Sequence, residues 1–188
     1  IGQSAANQLN GLADVGAELG PALGRPVTEL WSMQNGYALA TRAGLDMITA
    51  HLREIGDAGS SKLAGRLRIG LHQDVELTDG SSSPGQLVNQ IFCSALPVAY
   101  GRWPQPLWQD FGQLVLNAAY EATLLFAVLN NRRGGSNIVL LTMLGGGAFG
   151  NAGVWIHNAI RRALDKTQGN GLDVRLVSYG HPSAEMRA

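Results

Sequence analysis

The sequence predicts a layered α/β domain with a mixed β-sheet, and three observations predict it. Stretches with apolar residues at helical spacing alternate along the chain with short extended segments. A continuous apolar run, Ile138 to Leu144, ends abruptly in Gly145-Gly146-Gly147-Ala148-Phe149-Gly150 and is followed by another helical stripe, the order of a buried strand, a tight loop and a helix. The chain has 188 residues, 45% hydrophobic and 15% charged, which is enough apolar material for one domain spanning 1–188 and too much for a disordered chain.

The elements follow in order. Ser4 to Leu23 reads as an amphipathic helix through Leu9, Leu12, Ala13, Gly16 and Leu19, punctuated by Pro21 and by Gly24-Arg25-Pro26. Val27 to Met33 alternates as a strand does, Gly36 breaks it, and Tyr37 to Glu54 returns to helical spacing through Ala40, Ala43, Leu45, Ile48 and Leu52. Gly56 to Ser61 reads as a small polar loop. From Leu63 to Thr78 the period becomes two: Leu67, Ile69, Leu71, Val75 and Leu77 point one way, and Arg68, His72, Asp74, Glu76 and Thr78 the other. Asp79-Gly80, three serines and Pro84-Gly85 form a turn. Leu87 to Ala99 is a second extended segment, with Pro97 suited to its end. The longest helical signal runs from Leu107 to Leu129; Arg132-Arg133 suit its dipole and Gly134-Gly135 stop it. Val154 to Leu164 carries the clean stripe Ile156, Ala159, Ile160, Ala163 and Leu164, and a last strand covers Leu172 to Tyr179.

Composition excludes several functions. Fourteen basic and 14 acidic residues cancel, so the strongly basic footprint of a duplex-DNA binder is missing. The single cysteine, Cys93, rules out an internal disulfide framework and a multi-cysteine zinc site, and a reducing cytoplasm is the simplest home. No uninterrupted apolar run approaches the ~18 residues of a membrane span. Ile1-Gly2-Gln3 has no charged-then-apolar signal pattern, and without an initiator Met the sequence reads as a trimmed one.

The most informative segment for chemistry is Ile138 to Leu164. Three consecutive glycines after a strand let the backbone approach a ligand unobstructed, and the helix that follows offers unpaired N–H groups and a partial positive charge. Together they suit a diphosphate. The segment is not a Walker A loop, because no Gly-Lys-Ser/Thr follows. The alternative is a tight strand-to-helix turn with no ligand.

Asn89 to Leu164 resembles the C-terminal half of a macrodomain, the ADP-ribose-binding family. Val88-Asn-Gln-Ile-Phe-Cys-Ser-Ala-Leu-Pro97 looks like a middle strand, Leu107 to Leu129 like the long helix, and Leu140 to Asn151 (LLTMLGGGAFGN) like the loop that embraces the diphosphate. The resemblance implies a three-layer α/β/α fold with a central mixed β-sheet. It implies diphosphate contacts from Gly145, Gly146, Gly147, Ala148, Phe149 and Gly150, with Phe149 along the ribose. The first loop departs from the family's Asn-Ala-Ala-Asn type: Met33-Gln-Asn-Gly-Tyr-Ala-Leu-Ala40 stands there, so Asn35 and Gly36 take the proximal-ribose role, with Tyr37 flanking. The Gly-Asp-Ile adenine signature is missing. Tyr179, in Val-Ser-Tyr-Gly-His-Pro182, stands where the family places a ring against adenine or the distal ribose; a core or rim tyrosine is the alternative. The combination looks like the divergent, bacterial-effector-like branch that removes ADP-ribose from arginine with a group of acids. The resemblance implies neither a cofactor nor a metal; the partners it implies are ADP-ribose and an ADP-ribosylated protein, with no membrane and no direct nucleic-acid contact.

The acids that fit this chemistry are Asp74, Glu76 and Asp79. Alternation puts Asp74 and Glu76 on one face about 7 Å apart, with Asp79 at the turn beside them. Clustered carboxylates grip a guanidinium, and one with a raised pKa protonates a leaving group or activates water at an anomeric carbon passing through an oxocarbenium-like state. The alternative is the solvated polar face of an edge strand; the resemblance favours function, with Asp74 first. The remaining residues read more plainly. His51, His72, His157 and His181 lack metal-ligand spacing, His157 lies off its apolar stripe and reads as solvated, Cys93 reads as a buried small hydrophobe, and Trp103 and Trp108 read as packing at a helix entry. Three functions stand open: an ADP-ribosyl hydrolase acting on modified side chains, arginine foremost; a reader that binds ADP-ribose without turnover; and a scaffold that has lost its ligand.

Overall fold

The computed structural model describes residues 8–78 and 85–178. Asp79 and Tyr179, both candidate site residues, lie outside the described residues. In order the elements are α1 (Ala13–Leu23), α2 (Val27–Leu30), β1 (Trp31–Gln34), β2 (Tyr37–Ala40), α3 (Arg42–Ala64), β3 (Gly70–Glu76), β4 (Leu87–Phe92), two 3-10 turns (Val98–Tyr100 and Gln105–Trp108), α4 (Gln109–Arg132), β5 (Ile138–Leu141), α5 (Gly153–Thr167) and β6 (Asp173–Leu176). The mixture of helices and strands is that of the α/β class.

α4 is the spine. Phe111, Leu114, Val115, Ala118, Leu124 and Ala127 bury one broad face of it against α3 and α5. Trp108 at its entrance and Phe111 one turn later are completely buried, so the two tryptophans around this entry pack as expected: Trp108 donates its indole N–H to the Trp103 carbonyl, and Trp103 donates to the Ala40 carbonyl. Gln105–Arg132 is long and apolar enough to cross a membrane, but more than half of its most apolar window is covered by this fold. α5 returns along α4 on the predicted stripe, Ile156, Ala159, Ile160 and Ala163, and Arg162 and Lys166 clasp the largely buried Glu121 of α4.

The N-terminal half differs from the expected order of elements, and the causes are local. Val27–Leu30 is helical, because Pro26 sets φ near −64° and its carbonyl accepts from the Glu29 amide. The strand is confined to Trp31–Gln34. Tyr37 begins β2 and not a helix: Asn35 (φ 50°) and Gly36 (φ 82°) form a two-residue turn, and Gln34 pairs with Tyr37 across it. This is the primed turn that Asn-Gly favours because both residues reach positive φ readily. The helix starts at Arg42, where the Thr41 hydroxyl accepts from the Gly44 amide at 2.9 Å and donates to the Glu29 carbonyl at 2.6 Å. It continues through the expected loop to Ala64 with a break at Gly56. Thr41→Ala removes the cap and leaves the amide unmet, so it is expected to cost about 1–2 kcal/mol, read as a lower Tm that Thr41→Ser largely restores.

Among the described residues the strands do not form one central mixed sheet. They pair as three two-stranded ribbons: β1–β2 antiparallel, β3–β4 antiparallel and β5–β6 parallel. β1–β2 is a local hairpin, and β4 and β5 face each other across a cavity of about 640 Å³ without pairing. β5, expected to be buried on both faces, is buried on one: Val139 and Leu141 are covered, and Ile138 and Leu140 are 49% and 64% exposed. The extended segment after Leu87 ends at Phe92, and Pro97 opens the first 3-10 turn.

Candidate functional site

The loop after β5 is built from its own glycines and from neighbours that hold its ends. Gly145 has φ 75°, and a Cβ there would stand 2.4 Å from the Ala95 Cβ and 2.7 Å from the Asn151 Nδ2. Asn151, buried just before α5, ties both sides: its Nδ2 donates to the carbonyls of Leu96 at 2.8 Å and Gly145 at 3.3 Å, and its backbone N–H returns to the Gly145 carbonyl. The Gly150 amide closes a turn onto Gly147, Ala99 donates to the Phe149 carbonyl, and the Gln105 amide donates to the Gly150 carbonyl at 2.8 Å. These bonds leave the amides of Gly147, Ala148 and Phe149 with no hydrogen bond among the described residues. Gly146, Gly147 and Ala148 are exposed, and nothing lies within 4 Å of the position a Gly147 Cβ would take. Beside the loop, α5 begins without a side-chain cap. Unpaired amides and an uncapped helix start both carry partial positive charge, which suits an anion, although Gly145 to Gly150 line none of three cavities among the described residues.

The start of the loop hangs from α4. Tyr120, buried, donates its hydroxyl to the Thr142 carbonyl at 2.7 Å and accepts from the Leu144 amide at 2.9 Å. Burial pushes its phenol up to about 12, opposed by the bond from Leu144 and helped by Cys93. Because the folded value lies above the ordinary ~10, the stability linked to this group is complete below about pH 10 and is lost as pH rises toward 12. Tyr120→Phe deletes both bonds and is expected to cost about 1–3 kcal/mol; a denaturation series above pH 10 reads the wild-type decline, which the Phe variant lacks.

The two loops singled out from the sequence come together. The rings of Tyr37, Tyr100 and Phe149 form a closed triangle of edge-to-face contacts, with centroids 5.4 Å (Tyr37–Tyr100), 5.6 Å (Tyr37–Phe149) and 5.5 Å (Tyr100–Phe149) apart. Tyr37 follows the Asn35-Gly36 turn, Phe149 belongs to the glycine loop, and Tyr100 ends the 3-10 turn between them. Tyr37 and Tyr100 remain exposed on their outer faces. A second cavity, about 270 Å³, lies beside the hairpin, lined by Gly36, Tyr37, Arg68, Phe92, Ser94 and Pro97 among others.

Asp74 and Glu76, the candidate acids among the described residues, belong neither to the aromatic triangle nor to this smaller cavity. His72 pairs with Gln90 and Val75 with Val88, so Gln73 and Asp74 together oppose Asn89 in a bulge. The extra residue resets the alternation: Glu76 pairs with Leu87 and falls on the face of Leu71, which pairs with Ile91, not on that of His72. Asp74 has φ 54°, and its amide donates to the Asn89 side chain at 3.0 Å, which in turn donates to Asn130 of α4. Asp74 lines the larger cavity, which extends to Leu144; Gly146 and Glu76 are not among its walls. Asp74 and Glu76 are both exposed.

Among the smaller expectations, His157 is corrected: it is half-buried, and its Nε2 is buried with no hydrogen-bond partner among the described residues. His72 is exposed against the Phe92 ring at 5.1 Å. Cys93 is half-buried, and burial pushes its thiol up, opposed by a hydrogen bond to Thr123, so the thiolate a nucleophile needs is disfavoured. No group of three His, Cys, Asp or Glu side chains is placed to hold a metal among the described residues. Tyr100, Tyr120 and Asn151 are structural contributors that the sequence reading did not single out; the signal for Asn151 is an Asn directly after the glycine loop and just before a helix. Compared with protein-family models, curated proteins and solved structures, the chain matches none.

Proposed function

We propose that this chain is a macrodomain-like module that binds the ADP-ribosyl group of modified proteins. The diphosphate lies on the free amides of Gly147 to Phe149, and the proximal ribose lies between that loop and the Asn35-Gly36 turn. The observation that carries the reading is the aromatic triangle: Tyr37, Tyr100 and Phe149 hold the two segments side by side, as one ligand with a diphosphate and a sugar requires. The amides supply charge-assisted donors to an anion, and the exposed ring faces supply apolar cover for a ribose.

Hydrolysis of an ADP-ribosyl-arginine bond is the second reading, and the cavity wall favours it. Asp74 lines the cavity that reaches Leu144 at the start of the glycine loop, while its positive φ belongs to the β3 bulge. Asp74 would take the acid–base role, with Glu76 and Asp79 supporting it. Calorimetry with ADP-ribose and release of free ADP-ribose from an arginine conjugate test the two readings separately. ADP-ribose at 100 times its dissociation constant is expected to stabilise the fold by about 2.7 kcal/mol; no thermal shift would leave only the scaffold. If the protein hydrolyses the conjugate, Asp74→Asn is expected to slow release about 100-fold or more with ADP-ribose affinity unchanged. Binding without release in the wild type would leave a reader.

A further inference from the structure

We infer that the cavity between β4 and β5 is a receptor for one extended peptide strand, which completes a single sheet through it. The inference does not rest on the ADP-ribose reading, although Asp74 serves in both. β4 is paired only to β3 and β5 only to β6, so among the described residues the facing edges of β4 and β5 carry no ladder partner. Each ribbon alone is two-stranded, a number marginal in water; one strand between them gives a sheet of five, the ordinary size. The floor is already apolar through Phe126 of α4, and the walls carry Ile91 and Ile138. Above them Leu87 and Leu140 are 55% and 64% exposed, more apolar edge than an isolated surface strand tolerates. The floor and two open main-chain edges specify the partner's chemistry. The occupant is a peptide in extended conformation, about four to six residues long to match β4 and β5, with alternating β-branched residues in its body. Asp74 is the one charged residue on the cavity wall among the described residues, so the complementary peptide carries a basic residue at that end.

The test adds a synthetic peptide, acetyl-KVTVTV-amide, to the chain and reads amide hydrogen exchange in 87–92 and 138–141. Exchange is expected to slow tenfold or more in both strands. A peptide N-methylated at alternate residues should give no protection, because it cannot supply the ladder donors, and replacing its Lys by Glu should weaken binding about tenfold. Absence of protection at millimolar peptide overturns the inference. So does protection of one strand only, which would mean addition at an open edge, or equal protection by the N-methylated peptide, which would mean apolar adhesion. Light scattering that finds a dimer which the peptide merely dissociates would assign the cavity to a second copy instead. The readout is exchange and not turnover, so failure here leaves the hydrolysis reading untouched.

Discussion

Gly145→Ala is expected to cost about 2–5 kcal/mol and to lower the Tm by roughly 10 °C, the larger of the two stability effects argued for the loop. Two separate penalties add. At φ 75° a Cβ meets its own backbone, which costs an ordinary residue about 1–2 kcal/mol. That Cβ also lands 2.4 Å from the Ala95 Cβ, an atom fixed to backbone, and 2.7 Å from the Asn151 Nδ2. Overpacking of this kind costs about 1–3 kcal/mol, and moving Asn151 breaks its bonds to Leu96 and Gly145, which anchor both ends of the segment. At roughly 2–4 °C per kcal/mol for a chain of this size, calorimetric melting resolves the effect easily. A Tm within 2 °C of wild type would mean that the tight contact with Ala95 does not hold the loop.

How much of this was legible beforehand depends on where the forces are local. The helical stripes of α4 and α5 survive because each buries the face its own spacing defines, Ile156, Ala159, Ile160 and Ala163 being the clearest case. The glycine loop was legible because nothing else joins an apolar strand to a helix so abruptly. The hairpin at Asn35-Gly36 had a signal that went unread: Asn-Gly between short extended segments favours a primed turn, and missing it turned β2 into the start of a helix. The strict alternation read along β3, which put His72 and Glu76 on one face, failed for a different reason. A bulge adds one residue to one strand, and strict alternation cannot anticipate it; here the Asn89 side chain accepts from the Asp74 amide, a contact 15 residues away in sequence. Continuity of the sheet was also beyond reach, because pairing of β4 with β5 is a long-range choice that the apolarity of either strand leaves undecided.

Gly147 separates the ligand from the fold. Its backbone does not occupy the left-handed region, and an added Cβ meets nothing within 4 Å, so Gly147→Ala should melt within about 1 °C of wild type, unlike the Gly145 variant two residues away. The open space is where the proposed diphosphate approaches the amides of Gly147, Ala148 and Phe149. A methyl there holds the anion off the N–H groups, and hydrogen bonds to a charged acceptor weaken steeply with distance. ADP-ribose affinity is therefore expected to fall at least tenfold for Gly147→Ala, about 1.4 kcal/mol, and about 100-fold for Gly147→Val. Titration of the two variants beside wild type, with melting curves on the same samples, isolates the loop's chemistry from its stability. Wild-type affinity in the folded Val variant would mean that ADP-ribose does not lie on these amides, and the binding reading would fall even though the aromatic triangle stood.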